Sequence, residues 1–247
     1  MSSEQLAVDV VTVFTDSEGG HGNLLGIVRS PAAAGREQEI ARVLGYSETV
    51  FVEGVLETGA AHGSGAAREP GAARERVATV RIFTPAEELP FAGHPSVGVA
   101  WWLAAAGTPV TRLAVGAGDV PVRSDGDITW IAGRAEWAPE FVWHELADPA
   151  AVDGLDPAEF PSGKHYAWAW IDEAAGHVRS RMFAPDLGIV EDEATGAAAV
   201  RLTTLLGRDL MIDQGAGSRI LTRVLGDGLV EVGGRTRRVD PVTVELD

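Results

Sequence analysis

No cysteine occurs in the 247 residues. Disulfides, thiolate nucleophiles and cysteine-bound metals are therefore excluded. The six histidines, His21, His62, His94, His144, His165 and His177, show no compact metal-ligand spacing. Positive charge is scarce: 20 Lys and Arg against 36 Asp and Glu leave a net charge of -16. No basic stretch stands out, and an acidic chain repels a phosphate backbone, so nucleic acid is not an expected partner. Any anionic metabolite would need local compensation inside a cleft. The longest apolar run, around Val97 to Ala106, contains Gly98 and is too short to span a membrane. Met1 to Gln5 lack a basic segment before an apolar run, so no secretory signal is expected and a cytoplasmic location is. A Gly-x-Gly-x-x-Gly turn, a phosphate-binding Lys loop and a Gly-x-Ser-x-Gly elbow are all missing.

What is present suits a strand-rich protein. Apolar residues make up 45%, and 30 glycines sit beside short apolar runs. The length allows one large domain or two of moderate size. Val8 to Phe14, Leu24 to Val28 and Ala78 to Phe83 read as strands. Pro31 to Leu44 reads as a helix stopped by Gly45. Glu57 to Arg76 reads as an exposed hairpin loop that includes His62. The second half begins near Pro109. It has short strands, an irregular or helical stretch from Pro139 to Pro161, and a closing strand from Leu229 that turns at Gly233-Gly234.

One repeat organises the chain. Arg81-Ile82-Phe83-Thr84-Pro85 returns as Arg181-Met182-Phe183-Ala184-Pro185, 100 residues later. Each copy runs strand, Arg-x-Phe-x-Pro, acidic loop, small-residue turn, buried helix. Duplication predicts two lobes with an active site between them. The small-residue helix starts, Gly93 to Gly98 and Ala194 to Ala198, offer unpaired N–H groups and partial positive charge to an anion. Close helix packing would explain the same small residues. Pro95 fits the first position of its helix.

Three acid–base candidates emerge, each with a plain alternative. Glu48, at the edge of the apolar strand Val50-Phe51-Val52, could be partly desolvated there, which would suit general acid–base work. It would equally pass as an exposed strand start. His94 could donate to a substrate or cap its helix. Asp192 could orient a substrate or favour the helix dipole. Arg81 and Arg181 read as structural partners of Glu88 and Glu191. Asn23 could serve its loop or reach the cleft.

These stretches resemble the phenazine biosynthesis PhzF family, of the diaminopimelate epimerase-like superfamily. The resemblance is carried by Gly22-Asn23-Leu24, Ser47-Glu48-Thr49-Val50-Phe51, the two Arg-x-Phe-x-Pro stretches, Glu88-Leu89-Pro90-Phe91-Ala92-Gly93-His94-Pro95-Ser96-Val97-Gly98, Glu191-Asp192 and Ala194-Thr195-Gly196, with Gln214-Gly215 weaker. It spans about residues 8 to 235, and Glu-Leu-Pro-x-x-Gly-His-Pro is its most specific segment. It implies an α+β fold of two lobes, residues 1–108 and 109–247, each a mixed, curled sheet round a central helix. The closing strands are free to return to the first lobe. It implies no metal, no organic cofactor and a homodimer.

The implied activity is an isomerase that moves a proton on a small carboxylate-bearing metabolite. The family's type member isomerises trans-2,3-dihydro-3-hydroxyanthranilate by way of a glutamate, here Glu48. His94 and Asp192 would bind, orient and help relay the proton, and Gly93, Ser96, Thr195, Gly196 and Ala197 would line the substrate site. An epimerase of another amino or hydroxy acid, or a noncatalytic acid binder, remains the alternative. Three positions depart from the family pattern. Ala197 stands where the family commonly has Ser, Leu24 follows Gly22-Asn23 where Pro is usual, and Ser218-Arg219-Ile220 lacks the Gly-Arg-Pro form. These departures argue against the type substrate.

Overall fold

In a computed structural model, which describes residues 4–29, 31–58 and 75–246, the Val-rich opening stretch forms strand β1 (Glu4–Thr15). The first half continues through β2 (Asn23–Val28), helix α1 (Glu37–Leu44), β3 (Glu48–Thr58), β4 (Glu75–Phe83), β5 (Glu88–Leu89) and helix α2 (Gly93–Ala105), then β6 (Arg112–Val115) and β7 (Gly118–Asp125). The second half holds β8 (Ile128–Arg134), β9 (Val142–Glu145), helix α3 (Pro149–Asp153), β10 (His165–Asp172), β11 (His177–Ala184) and β12 (Ile189–Asp192). Helix α4 (Gly196–Leu206), β13 (Leu210–Gln214), β14 (Ser218–Gly226) and β15 (Leu229–Leu246) complete it.

The strands form one path, β1-β2-β3-β4-β6-β7-β8-β15-β14-β13-β11-β10-β9. Because β15 also pairs with β1, the first eight strands of that path close into a ring. The ring surrounds α2, whose residues Gly93 to Ala100 are all buried. The remaining sheet curls around α4. Each sheet thus wraps its own helix, giving the two-lobed α+β architecture. Strand β15 serves both lobes. Its first six residues lie between β8 and β14, and the stretch from Arg235 onward pairs with β1. Just past residue 108, β6 pairs in parallel with β4.

The two Arg-x-Phe-x-Pro stretches occupy matching places. Arg81 grips Glu88 through two hydrogen bonds of 2.8 and 2.7 Å, and Arg181 grips Glu191 through two of 2.7 Å. Each guanidinium also lies over the following ring, 4.9 Å from Phe83 and 5.0 Å from Phe183. The first pair is about two-fifths exposed, so it contributes at most about 1 kcal/mol. Its main effect is to fix the acidic loop against the strand. The repeat spacing of 100 residues does not hold throughout. Glu88 answers to Glu191 and Gly93 to Gly196, so the offset grows by three between Pro185 and Glu191. A 3-10 turn at Pro185–Leu187, closed by left-handed Gly188, takes up the difference.

Four local expectations are corrected. The helix expected over 31–44 is only α1, because left-handed Gly35 separates it from a 3-10 turn at Pro31–Ala33. Helix α2 starts at Gly93, which makes Pro95 its third residue. The stretch from Pro139 to Pro161 is helical at α3 and at a 3-10 turn over Pro157–Glu159, as expected, but it also contains a strand, β9, at the sheet edge beside β10. No turn occurs at Gly233-Gly234. The strand runs on, because these glycines lie against the Trp130 and Phe14 rings, where a side chain would collide. Of the loop expected over 57–76, β3 and β4 pair antiparallel through Thr58 and Glu75. The rest of it, with His62, lies outside the described residues.

Candidate active site

The two central helices meet start to start. A Cβ placed on Gly93 would lie 2.8 Å from the Gly196 carbonyl carbon, and one on Gly196 would lie 2.8 Å from the His94 backbone nitrogen. Both obstacles are backbone, so neither can move aside cheaply. Gly93→Ala or Gly196→Ala is therefore expected to cost about 1–3 kcal/mol through overpacking. Denaturant unfolding would check this, and an unchanged midpoint would contradict it. Neither helix start carries a side-chain cap. The N–H groups of the first turns and their partial charge thus converge on one place.

Glu48 is the first residue of β3, held in register beside Leu25 of β2. His94 is the second residue of α2. Its Nδ1 lies 2.9 Å from Glu48 Oε2, and only 2% of the His94 side chain is exposed. With Glu48 ionised, Nδ1 carries the proton and donates. The His94 Nε2 atom is buried with no hydrogen-bond partner among the described residues.

Asp192 ends β12 and is 5% exposed. One carboxylate oxygen accepts from Asn23 Nδ2 at 2.7 Å, the other from the Thr195 hydroxyl at 2.5 Å. Burial pushes the Asp192 carboxyl up to about 7, and the nearby Glu48 charge adds to the rise. The hydrogen bond from Thr195 opposes it, as do His94 and Asn23. Asn23 ties the lobes together. It also donates to the Ala194 carbonyl and accepts from Ser47, next to Glu48. Behind Asp192, Gln214 donates to the Asp192 carbonyl and to Thr195 Oγ1, both at 2.9 Å. The Gln214 side-chain carbonyl lies 3.1 Å from the Tyr166 hydroxyl. Burial raises the Tyr166 phenol and keeps it a neutral donor. Asn23, Asp192, Thr195, Gln214 and Tyr166 are thus all partnered, as a buried polar network requires.

Glu48 and Asp192 line one cavity of about 240 Å³. Its walls are largely apolar, with Leu89, Phe91, Trp137, Phe141, Met182 and Ile189 contributing. Its remaining ionisable lining residues are Glu87 and Lys164. A larger surface hollow of about 540 Å³, between Asp9, Trp102 and Arg237 to Pro241, holds no comparable acid pair. Its two acids, Asp9 and Asp240, are exposed. The smaller cavity is therefore the candidate site. Among the described residues, no group of three His, Asp or Glu is placed to hold a metal ion. No helix among them is long and apolar enough to cross a membrane.

Thr195 and Ala197 also line the cavity. Gly93 and Gly196 lie at the helix contact. His94 sits behind Glu48. Ser96 is not brought to the cavity wall. It is fully buried, and its hydroxyl donates to the Ala92 carbonyl at 2.7 Å. Sequence reasoning missed Tyr166 and Lys164. It met Gln214 only as part of a weak Gln-Gly match. His144 and His165 stack with ring centroids 5.3 Å apart, and His144 Nε2 lies 3.0 Å from His165 Nδ1.

A family profile described as "Phenazine biosynthesis-like protein" (PhzC-PhzF) matches residues 11–155 and 156–224. The chain is similar to trans-2,3-dihydro-3-hydroxyanthranilate isomerase of Pseudomonas aeruginosa. They are 30% identical over 263 aligned positions, covering 90% of this chain and 83% of the relative. The enzyme of the same description from Pseudomonas chlororaphis is 32% identical over 260 positions, with the same coverage. Among solved structures, the fold is similar to a PhzF-family phenazine biosynthesis protein of Bacillus anthracis. The TM-score is 0.74 at 19% identity, over 98% of this chain and all of that one. A hydroxyproline epimerase of Agrobacterium vitis shares the fold more distantly, with a TM-score of 0.61 at 12% identity, covering 98% and 93% of the two chains.

Proposed function

The chain belongs to the phenazine biosynthesis-like (PhzC-PhzF) family, and from that premise we propose an isomerase that shifts a proton within a small carboxylate-bearing substrate, with Glu48 as the proton carrier. The observation that supports this most is the pair Glu48 and Asp192 on one largely apolar cavity. In the first step, the Glu48 carboxylate takes a proton from a carbon next to an unsaturated system. The C–H electron pair spreads into that system. In the second step, protonated Glu48 returns the proton to another carbon of the same system, and the carboxylate is restored. No net charge, electron or atom is gained or lost.

The neighbours have separable parts in this scheme. His94 holds the Glu48 carboxylate in place from behind. Asp192 carries a proton over much of the range up to about pH 7, so it can donate to the substrate there. The free N–H groups at the starts of α2 and α4 would face the substrate carboxylate and the spreading negative charge. The apolar lining excludes water, which strengthens each of these contacts.

A second reading is epimerisation of another amino or hydroxy acid. The two acids facing one cavity favour it, because a proton could leave to one and return from the other. Incubation in deuterated water separates the two readings. The panel would hold cyclic and acyclic amino and hydroxy acids, with trans-2,3-dihydro-3-hydroxyanthranilate among them. A product with its double bond moved, with or without label at the carbon that gains the proton, marks the isomerase, and label at the α-carbon without such a shift marks the epimerase. If no acid is exchanged or isomerised faster with the native protein than with Glu48→Gln, proton transfer fails for that panel. A homodimer is the assembly the resemblance implies, and sedimentation would read it.

Ala197, on the cavity wall at the second residue of α4, gives a further check. Ala197→Ser adds a hydroxyl beside the proposed carboxylate position. A hydrogen bond to a charged group contributes about 1.5 kcal/mol, so affinity for a ring carboxylate such as benzoate is expected to rise about tenfold. Calorimetric titration with unchanged or weaker affinity would remove the carboxylate from this helix end.

A further inference from the structure

The chain contains one lysine, Lys164, among its 20 basic residues. That lysine lines the candidate active site. Among the described residues, it is the only cation on a lining that carries the acids Glu48, Glu87 and Asp192. In a protein with 36 acidic residues, most arginines of the described structure are bound to carboxylates or backbone carbonyls. Among the described residues, no hydrogen bond or ion pair engages the Lys164 ammonium. Its backbone carbonyl accepts from Val142 N at 2.8 Å, which fixes the chain at this point.

The strand registers show what position Lys164 holds. In the first lobe, Thr49 of β3 pairs with Phe83 of β4. In the second, His165 of β10 pairs with Phe183 of β11. Phe83 and Phe183 are the matched residues of the repeat, so Thr49 answers to His165. One residue earlier, Glu48 answers to Lys164. The parallel neighbours agree, since β2 flanks β3 as β9 flanks β10. The duplication therefore places a cation in one lobe where the other lobe has its acid, and both line the same cavity.

We propose that Lys164 anchors a second acidic group of the substrate, so that the native substrate is a small dicarboxylate or an acid of equivalent double charge. One acidic group lies at the helix starts and the other at Lys164, with the reacting carbon turned towards Glu48. An unpaired ammonium on the cavity lining supplies a charge that attracts an anion locally, against the repulsion of the rest of the chain. The inference rests on the carboxylate site of the proposed function. Its test needs no turnover, so a failure of proton transfer at Glu48 leaves it untouched.

Calorimetric titration of the full chain with benzoate and with isophthalate compares one acidic group with two. The native protein is expected to bind isophthalate about tenfold more tightly than benzoate. Lys164→Met should abolish that preference while changing benzoate affinity less than twofold, Lys164→Arg should keep most of it, and Lys164→Glu should reverse it. Thermal melts of the three variants within a few degrees of the native protein establish that the fold is retained. Equal affinity of the native protein for the two acids overturns the proposal. So does a preference that survives in Lys164→Met, or binding of neither acid.

Discussion

Glu48→Gln is expected to lower proton transfer by about three orders of magnitude and to leave the fold intact. The magnitude is that of a positioned general base, about 10²- to 10⁴-fold. The substitution keeps the volume of the side chain. It also keeps an oxygen that can accept from His94 Nδ1. What it removes is the group that carries the proton. Substrate affinity should change by only a small factor, because the helix starts and the apolar walls are untouched. The loss should therefore appear in kcat for isomerisation or exchange and not in KM. A rate within tenfold of the native protein would show that another group carries the proton. Asp192 would then be the first candidate.

Asp192→Asn should stabilise the protein at alkaline pH and much less at acid pH. The Asp192 carboxyl is held at about 7 in the folded protein by burial first and by the Glu48 charge second, against 3.8 for an ordinary aspartate. A group whose folded value is raised lends stability fully below the unfolded value, and that contribution is lost as pH rises through the folded value. The Asp192 contribution to stability should thus fall between about pH 4 and pH 7, by a few kcal/mol in the limit. Asparagine carries no charge to bury. It can still accept from Asn23, and its amide can face the Thr195 hydroxyl once that hydroxyl rotates. The difference in Tm between variant and native protein should therefore be several degrees larger at pH 8.5 than at pH 5. A difference independent of pH would mean that Asp192 is not being ionised against burial. The variant should also lose activity, because it lacks the exchangeable carboxyl proton.

The sequence carried the frame of this site further than its chemistry. The paired Arg-x-Phe-x-Pro stretches were legible because the same local contacts recur, an arginine on an acid and over a ring. The buried α2 was legible from its unbroken apolar run. Glu48 was not distinguishable by composition from any exposed acid at a strand start, and only the resemblance raised it. The contacts around Asp192 were less visible still. They join residues from separate strands, such as Tyr166 and Gln214, whose meeting depends on how the sheet curls round α4. Nor could spacing reveal Lys164 as the counterpart of Glu48. The two are 116 positions apart in a repeat of 100, and only the pairing of β3 with β4 and of β10 with β11 aligns them.

Strand β15 has a consequence for how the molecule comes into being. It is made after every other strand described, yet it fills the gap between β8 and β1 in the ring around α2. During synthesis the first lobe therefore cannot close when its own residues leave the ribosome. Its β1 edge must wait, unpaired on one side, until the stretch from Leu229 to Leu246 has emerged. The two lobes share their final stave, so they finish together. A chain halted before β15 would leave both open, with the Glu48 and Asp192 faces never brought to one cavity.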